Sequence, residues 1–509
     1  MSIVSFWFFV FVAAALLVYY LTPRRFRWMA LFAASTAFFY FACGWKLYAV
    51  FAAQVLIAYV GVIHMHKFKF KTRVAVAVIV LEAAALILMK ENSFFITGAN
   101  IVTRLVGKPL DLPYFYWVAP LGMSYYTLML ISYVVNVLWG KAEVQRNPVK
   151  LALYAGFFPQ MVSGPFARYE EISSELFEGK PFELERIQLG MQRFMWGLFK
   201  KLVLAERLSV IVATLYDSGL GGVWPPEPTG VFVLIGAFSY VLQLYTDFSG
   251  CMDIVIGVAQ MFGVRLPENF NTPFYSTSLS EFWRRWHMTL GAWLKDYVMY
   301  PVQKGLVTKF GKAARKAFGK VWGKNLILYS SMFATWFCIG FWHGGSLKYI
   351  CASGLFFFVM IVGGLILKPV FSRIIKFLKI NTGAWSWTVF CRLRTTFLFT
   401  LSVSFGRTDR LIDGFSMWKR AFVYNPWVFF DKSLYRLGLD RENFWVLVFG
   451  LLILFVVSMI QQKGSAREVV AKQNIVFRWA IWLALFAAVL VFGMYGEDYN
   501  PSDFIYGGF

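Results

Sequence analysis

Thirteen apolar runs, most of them near bilayer-crossing length, dominate the chain: 3–21, 28–44, 47–63, 74–90, 115–138, 151–164, 191–214, 229–248, 325–342, 349–367, 385–403, 443–460 and 475–494. About 20 helical residues cross a hydrocarbon layer about 30 Å thick. Inside that layer only helices and closed barrels satisfy the backbone. Barrel strands alternate apolar and polar positions over about ten residues, whereas these runs are apolar on every face. The expected fold is therefore all-α and polytopic, with about 11–13 spanning or re-entrant helices. Composition agrees. Hydrophobic residues make up 59 % and charged residues 15 %, against about 45–50 % and about 25 % in soluble domains. A soluble enzyme is excluded, as is a disordered or fibrous chain.

The charge is sided rather than spread. Fifty Lys and Arg face 27 Asp and Glu, a net +23, and the basic residues sit between apolar runs, as cytoplasmic loops carry them. Topology explains this excess, so nucleic acid is not expected as a partner. Arg24, Arg25 and Arg27 mark the first loop as cytoplasmic, which puts the N-terminus outside. The first run ends at these arginines and is span-length, so no cleavable signal peptide is expected. The loop from His64 to Arg73 is basic again, and its His64 and His66 read as solvated. Lys304–Lys324 holds seven basic residues and no acidic one, and the stretches 368–379 and 463–472 repeat the bias. The acidic tail from Gly496 then falls outside. The five cysteines (Cys43, Cys251, Cys338, Cys351 and Cys391) are scattered, mostly within apolar runs, and form neither a disulfide frame nor a metal site. There is no internal repeat or low-complexity linker, so residues 1–509 read as a single membrane domain.

One stretch departs from this pattern. Residues 265–301 are too polar to span lipid freely and too aromatic for an ordinary loop. At helical spacing Phe282, Trp286 and Trp293 share one face, which suits an interfacial or re-entrant helix with Arg284, Arg285 and Lys295 at headgroup level. His287 lies in this stretch. His343 sits in Gly340-Phe-Trp-His-Gly-Gly, between the runs 325–342 and 349–367. An ionisable side chain at membrane depth is a functional candidate by default, and imidazole suits proton transfer near neutral pH. Arg284 and Arg285 could face an anionic donor, because a guanidinium binds phosphate bidentately. Asp247 and Asp253 must pair or face water; they could orient a histidine, pair with an arginine or line an ion path. Two histidines 56 positions apart make no zinc site. No nucleophile elbow or P-loop is present.

Read in order, Leu121-Gly-Met-Ser-Tyr-Tyr-Thr, Gly156-Phe-Phe-Pro-Gln-Met-Val-Ser-Gly-Pro, Gly197-Leu-Phe-Lys-Lys, Tyr245-Thr-Asp-Phe-Ser-Gly, Glu281-Phe-Trp-Arg-Arg-Trp-His, Phe341-Trp-His-Gly and Phe504-Ile-Tyr-Gly-Gly-Phe form a specific series. The series resembles the membrane-bound O-acyltransferase (MBOAT) superfamily. The likeness is closest to its bacterial branch, which holds the alginate O-acetyltransferase membrane subunit and the D-alanyl transfer protein of teichoic acids. Thr246 stands where relatives often carry Phe, and the tail lacks the second aromatic of the frequent ending, which bears on any acyl-relay role for Tyr506.

The resemblance implies a helical bundle around a transmembrane tunnel. An acyl thioester, acetyl-CoA or a carrier-protein thioester, would arrive from the cytoplasm, and the acceptor, a polysaccharide or cell-wall polymer, from outside. It implies no bound cofactor and no metal, and a separate extracytoplasmic transferase as partner besides membrane lipids. His343 matches the family's intramembrane histidine and His287 its second functional histidine; both are expected to be catalytic. Trp283, Arg284, Arg285, Trp286, Asp247 and Trp342 are the expected substrate-binding residues. Apart from the resemblance, a lipid-linked sugar transporter using Asp247, Asp253 and His343 as a proton relay would fit the same residues.

Overall fold

The computed structural model describes residues 2–65, 70–113, 117–216 and 228–495. His66, the tail from Gly496 and Tyr506 lie outside the described residues. Every regular element among the described residues is a helix or helical turn. Seven helical segments are long and apolar enough to cross a membrane: Arg24–Met65, Lys71–Lys90, Val231–Met261, Met288–Trp342, Tyr349–Ile366, Arg441–Gln461 and Ile475–Phe492. Phe6–Leu21 and Met123–Leu138 are apolar but shorter. The chain is a multi-pass membrane protein.

Several expected runs take a different form. The runs 28–44 and 47–63 are helical on either side of Gly44, whose backbone is not helical (φ 74°, ψ 173°), within Arg27–Met65. Run 151–164 does not form a span. It breaks at Phe157 into Pro148–Gly156 and Phe158–Met161, of nine and four residues, and nine residues rise only about 14 Å. Run 191–214 is helical from Leu184 to Tyr216 through a wide π-type stretch at Phe199–Ala205. Run 385–403 is the helix Trp385–Val403, interrupted in its apolar character by Arg392 and Arg394.

The chain divides into two compact units. The first comprises Met1–Leu198, Phe248–Glu268 and Tyr495–Phe509. Its helix Met123–Leu138 is buried from Met123 through Val137. The helix 184–198 and the end of Val231–Met261 touch backbone to backbone. A Cβ on Gly190 would lie 2.7 Å from Gly257 O, and one on Gly257 2.7 Å from Gly190 O, the small-residue contact that brings membrane helices close. Arg193 seals the crossing, with Nε 2.8 Å from Asp253 Oδ1 and Nη1 2.6 Å from Glu268 Oε1. Asp253 thus pairs with an arginine.

The second unit comprises Phe199–Asp247 and Asn269–Met494. Its π-type stretch is buried at every position, including Lys200 and Lys201. Arg207 ties the C-terminal helices to it. Its Nε donates to Asn443 Oδ1 at 3.0 Å and its Nη1 to the carbonyls of Phe492 and Val203 at 2.6 and 3.0 Å.

Candidate active site

His343 caps the C-terminus of the helix Tyr300–Trp342, with its N–H donating to Ile339 O at 3.1 Å. The helix stops there because Gly344 (φ 138°) and Gly345 (φ 64°) take conformations that L side chains avoid. The chain turns back at once into Tyr349–Leu355, which packs along the helix it has left. The contact needs glycine on both sides. A Cβ on Gly340 would lie 2.7 Å from Ile350 Cα, and one on Gly354 2.5 Å from Trp336 O. His343 therefore stands at the tip of a tight helical hairpin, three residues from its closest backbone contact. Gly340→Ala is expected to push the second arm back and to lower any acyl transfer at least about tenfold with little loss of membrane insertion, as misplacements near 1 Å do. Turnover and detergent-stable yield, measured together, check this.

His287 is positioned differently. The expected continuous helix carrying Phe282, Trp286 and Trp293 on one face does not form. The chain makes Leu279–Trp283, breaks, and restarts at Met288–Leu294. His287 sits at the break in the left-handed region, φ 46° and ψ 49°. A non-glycine residue is held there only where surroundings over-determine it, at about 1–3 kcal/mol. Asn269 supplies the constraint. Its carbonyl accepts from Met288 N–H at 2.9 Å, and its Oδ1 accepts from Thr289 N–H and Oγ1 at 3.2 and 2.8 Å. The same Oδ1 lies 3.1 Å from His287 Nδ1.

These contacts fix the tautomer. The Thr289 amide can only donate, so the Asn269 atom facing it is the oxygen, and His287 Nδ1 must carry the hydrogen. In neutral His287 the lone pair is therefore on Nε2. Asn269→Leu keeps the volume and removes the acceptor. It is expected to leave the protein inserted but to cut turnover about 10- to 100-fold, the usual effect of removing a partner that orients a functional histidine. Asn269→Asp, which keeps the acceptor, should retain more activity than Asn269→Leu.

Trp342 connects the two histidines. Its ring centroid is 5.8 Å from His287 and 5.0 Å from His343, edge-on to both. Both are buried, at 2 % and 7 % exposure, so a charge formed on either is shielded from bulk water.

The other expected site residues divide. Trp286 is enclosed by Tyr245, Phe270, Phe282 and Phe399, with centroids 4.9–6.0 Å away. Trp283 packs on Trp336 and Phe357 at 5.1 and 4.9 Å. Both form the wall behind His287. Arg285 is held by Glu281 (2.9 Å) and by Thr272 Oγ1 (3.2 Å), whereas Arg284 is exposed. Partial burial pushes the Glu281 carboxyl up, but the Thr277 amide and hydroxyl and the Arg285 guanidinium outweigh it and hold it below its ordinary value. Asp247 is buried against Lys201, whose Nζ lies 2.6 Å from Asp247 Oδ1 and 2.6 Å from Glu206 Oε1. Among the described residues no group of three His, Cys, Asp or Glu side chains is arranged to hold a metal ion.

Sequence reasoning missed two of these residues. Asn269 stands alone in a polar stretch, with no periodicity to mark it. Lys201 had a usable signal, since a lysine inside an apolar run needs a carboxylate partner.

The fold is that of a multi-pass, all-α membrane protein with two buried imidazoles, His287 and His343, gathered around Trp342. Residues 116–315 match the family model MBOAT, the membrane-bound O-acyltransferase family, with His287 inside the matched segment and His343 beyond it. Among curated proteins it is similar to the probable alginate O-acetylase AlgI of Pseudomonas fluorescens, 30 % identical over 354 residues, covering 67 % of this chain and 62 % of the relative. It is also similar to the peptidoglycan O-acetyltransferase of Helicobacter pylori (28 % identical; 51 % of this chain, 49 % of the relative). The teichoic acid D-alanyltransferase of Bacillus subtilis is a further relative (28 %; 45 % and 55 %). These matches each span less than two thirds of the relative's length.

Proposed function

We propose that the protein is an O-acyltransferase that moves an acyl group, acetyl in the first instance, from a cytoplasmic thioester donor to an extracytoplasmic polysaccharide or cell-wall polymer. The observation that carries the reading is the pair of buried imidazoles on either side of Trp342, within and beside the MBOAT domain. His343 is the base. Its imidazole takes the acceptor hydroxyl's proton as that oxygen attacks the thioester carbonyl carbon. The carbon–sulfur bond breaks, the thiolate leaves, and the imidazolium returns the proton to sulfur. The products are an ester and a free thiol. A thioester is already electrophilic, so a base and positioning suffice. Burial of both histidines limits the competing attack by water.

His287, with its lone pair on Nε2, orients the donor or acceptor within reach of His343. Trp283 and Trp286 hold that arrangement from behind, and Arg284, the exposed arginine of the pair, meets the donor's phosphate. In this reading the basic loops face the cytoplasm and both termini lie outside. A separate extracytoplasmic transferase, which the resemblance implies as partner, would present the polymer's hydroxyl to His343.

The test uses the protein in lipid nanodiscs with acetyl-CoA labelled in the acetyl group. Loss of thioester and transfer of label to a polysaccharide acceptor support the reading. Label transfer only from a D-alanyl carrier-protein thioester would replace acetyl by D-alanyl. Transport of a lipid-linked sugar without acyl transfer from either donor would overturn it.

A further inference from the structure

Between Asp296 and Asp409 the chain runs for 112 residues without one acidic side chain, while carrying 15 Lys and Arg. Positive-inside bias accounts for basic loops but not for the complete loss of acids, which contribute little to orientation. This charge must find its counter-ions elsewhere.

Within the stretch, one helix has the form of a membrane-surface element. Lys368–Phe377 has no buried residue. Val370, Phe371, Ile374 and Phe377 recur at three- and four-residue spacing, which puts them on one face; all four are exposed, Phe377 by 84 %. Lys368, Arg373 and Lys376 occupy the remaining arc, and Lys379 follows two residues beyond the helix end. Among the described residues no carboxylate pairs with any of the four. Place in the chain fixes the level of this helix. It begins two residues after Ile366, where the apolar segment Tyr349–Ile366 ends, and Pro369 in its first turn restarts the helix there. A chain that has just left the hydrocarbon layer is at the headgroups.

We propose that Lys368–Lys379 is an anionic-lipid binding element, with Val370, Phe371, Ile374 and Phe377 seated among acyl chains and the four basic side chains on lipid phosphates. An exposed apolar face beside a cationic arc matches an anionic membrane surface. An acidic protein would satisfy the charges and leave the aromatic face in water. Lys304–Lys324 shares the charge and also exposes Val307, Phe310, Phe318, Val321 and Trp322, but it is part of the long segment Met288–Trp342, is bent at Gly319 and buries Gly311, Ala314 and Gly323.

The test uses the full-length protein, purified into mixed micelles of phosphatidylglycerol and phosphatidylcholine in equal amounts, with lipids retained on the protein counted by native mass spectrometry. The wild type is expected to retain phosphatidylglycerol preferentially. K368Q/R373Q/K376Q/K379Q should lose about a hundredfold or more of that preference, because each basic residue at an anionic surface contributes about 1 kcal/mol. F371S/F377S should lower retention of both lipids, and K463Q/K472Q should change neither. If the fourfold variant is not monodisperse, K376Q/K379Q carries the test, with a loss of about thirtyfold. No preference in the wild type, an unchanged preference in the basic-arc variants, or an equal loss in K463Q/K472Q overturns the proposal. Unchanged lipid retention with lost capture of an acidic acyl carrier protein overturns it in favour of a protein partner.

Discussion

His343→Ala is expected to reduce acyl transfer by about 10²- to 10⁴-fold, the usual contribution of a positioned general base, while the protein still inserts and binds its donor. The separation follows from the structure. His343 forms the tip of the hairpin, and the hairpin is held by Gly340 against Ile350 and by Gly354 against Trp336. Removing the imidazole leaves those contacts untouched. A base assignment therefore requires kcat to fall with the donor's dissociation constant nearly unchanged. His343→Gln keeps volume and hydrogen bonding without basicity, and should be as inactive as His343→Ala. If either variant transfers acyl groups at the wild-type rate, His343 is not the base. If donor affinity falls in step with turnover, the residue positions substrate instead. Arg284→Ala should give the opposite signature, weaker donor binding with kcat largely kept.

The second large effect concerns the Lys201–Asp247–Glu206 cluster. Lys201 is 4 % and Asp247 2 % exposed at the side chain, and Lys201 lies 2.6 Å from both carboxylates. Lys201 thus pairs with both carboxylates. Lys201→Met removes the cation that both contact, and breaking a buried pair from one side costs about 3–5 kcal/mol. Asp247→Asn is milder, because Lys201 keeps Glu206. The order expected in thermal unfolding of the detergent-solubilised protein is Lys201→Met well below Asp247→Asn, with Lys201→Met/Asp247→Leu recovering part of the loss. If Lys201→Met and Asp247→Asn are equally stable, the cluster is not a structural pair. A proton relay through Asp247 would show instead as an Asp247→Asn variant of normal stability and lost activity.

The apolar runs were legible because the bilayer imposes a length. Runs 3–21, 74–90, 443–460 and 475–494 became Phe6–Leu21, Lys71–Lys90, Arg441–Gln461 and Ile475–Phe492. Run 151–164 misled because it is equally apolar yet buried by protein rather than lipid, and hydropathy does not distinguish the two. Gly44 and Gly319 break their helices at positive φ; the first falls where run 28–44 ends, whereas Gly319 carries no local signal beyond being glycine. Around the site, His343 and its glycines could be read directly. A histidine at the end of an apolar run, followed by two glycines, announces a helix stop beside a titratable group. The break at His287 could not be read. The spacing of Phe282, Trp286 and Trp293 favours one helix, and the left-handed turn is imposed by Asn269, 18 residues earlier, whose hydrogen bonds outweigh local preference.

By itself the sequence determined the class of this protein. Apolar length demands helices across a membrane, and an imidazole at membrane depth marks a candidate site. Only the tertiary structure decided which polar groups meet. It paired Asp253 with Arg193 and Asp247 with Lys201, placed the proton of His287 on Nδ1 through Asn269, and brought Trp342 into ring contact with both histidines. The reason is physical. Burial of apolar surface is nearly indifferent to direction and is written along the chain, whereas hydrogen bonds and ion pairs depend on geometry to within a few tenths of an ångström. That geometry exists only once distant segments have packed.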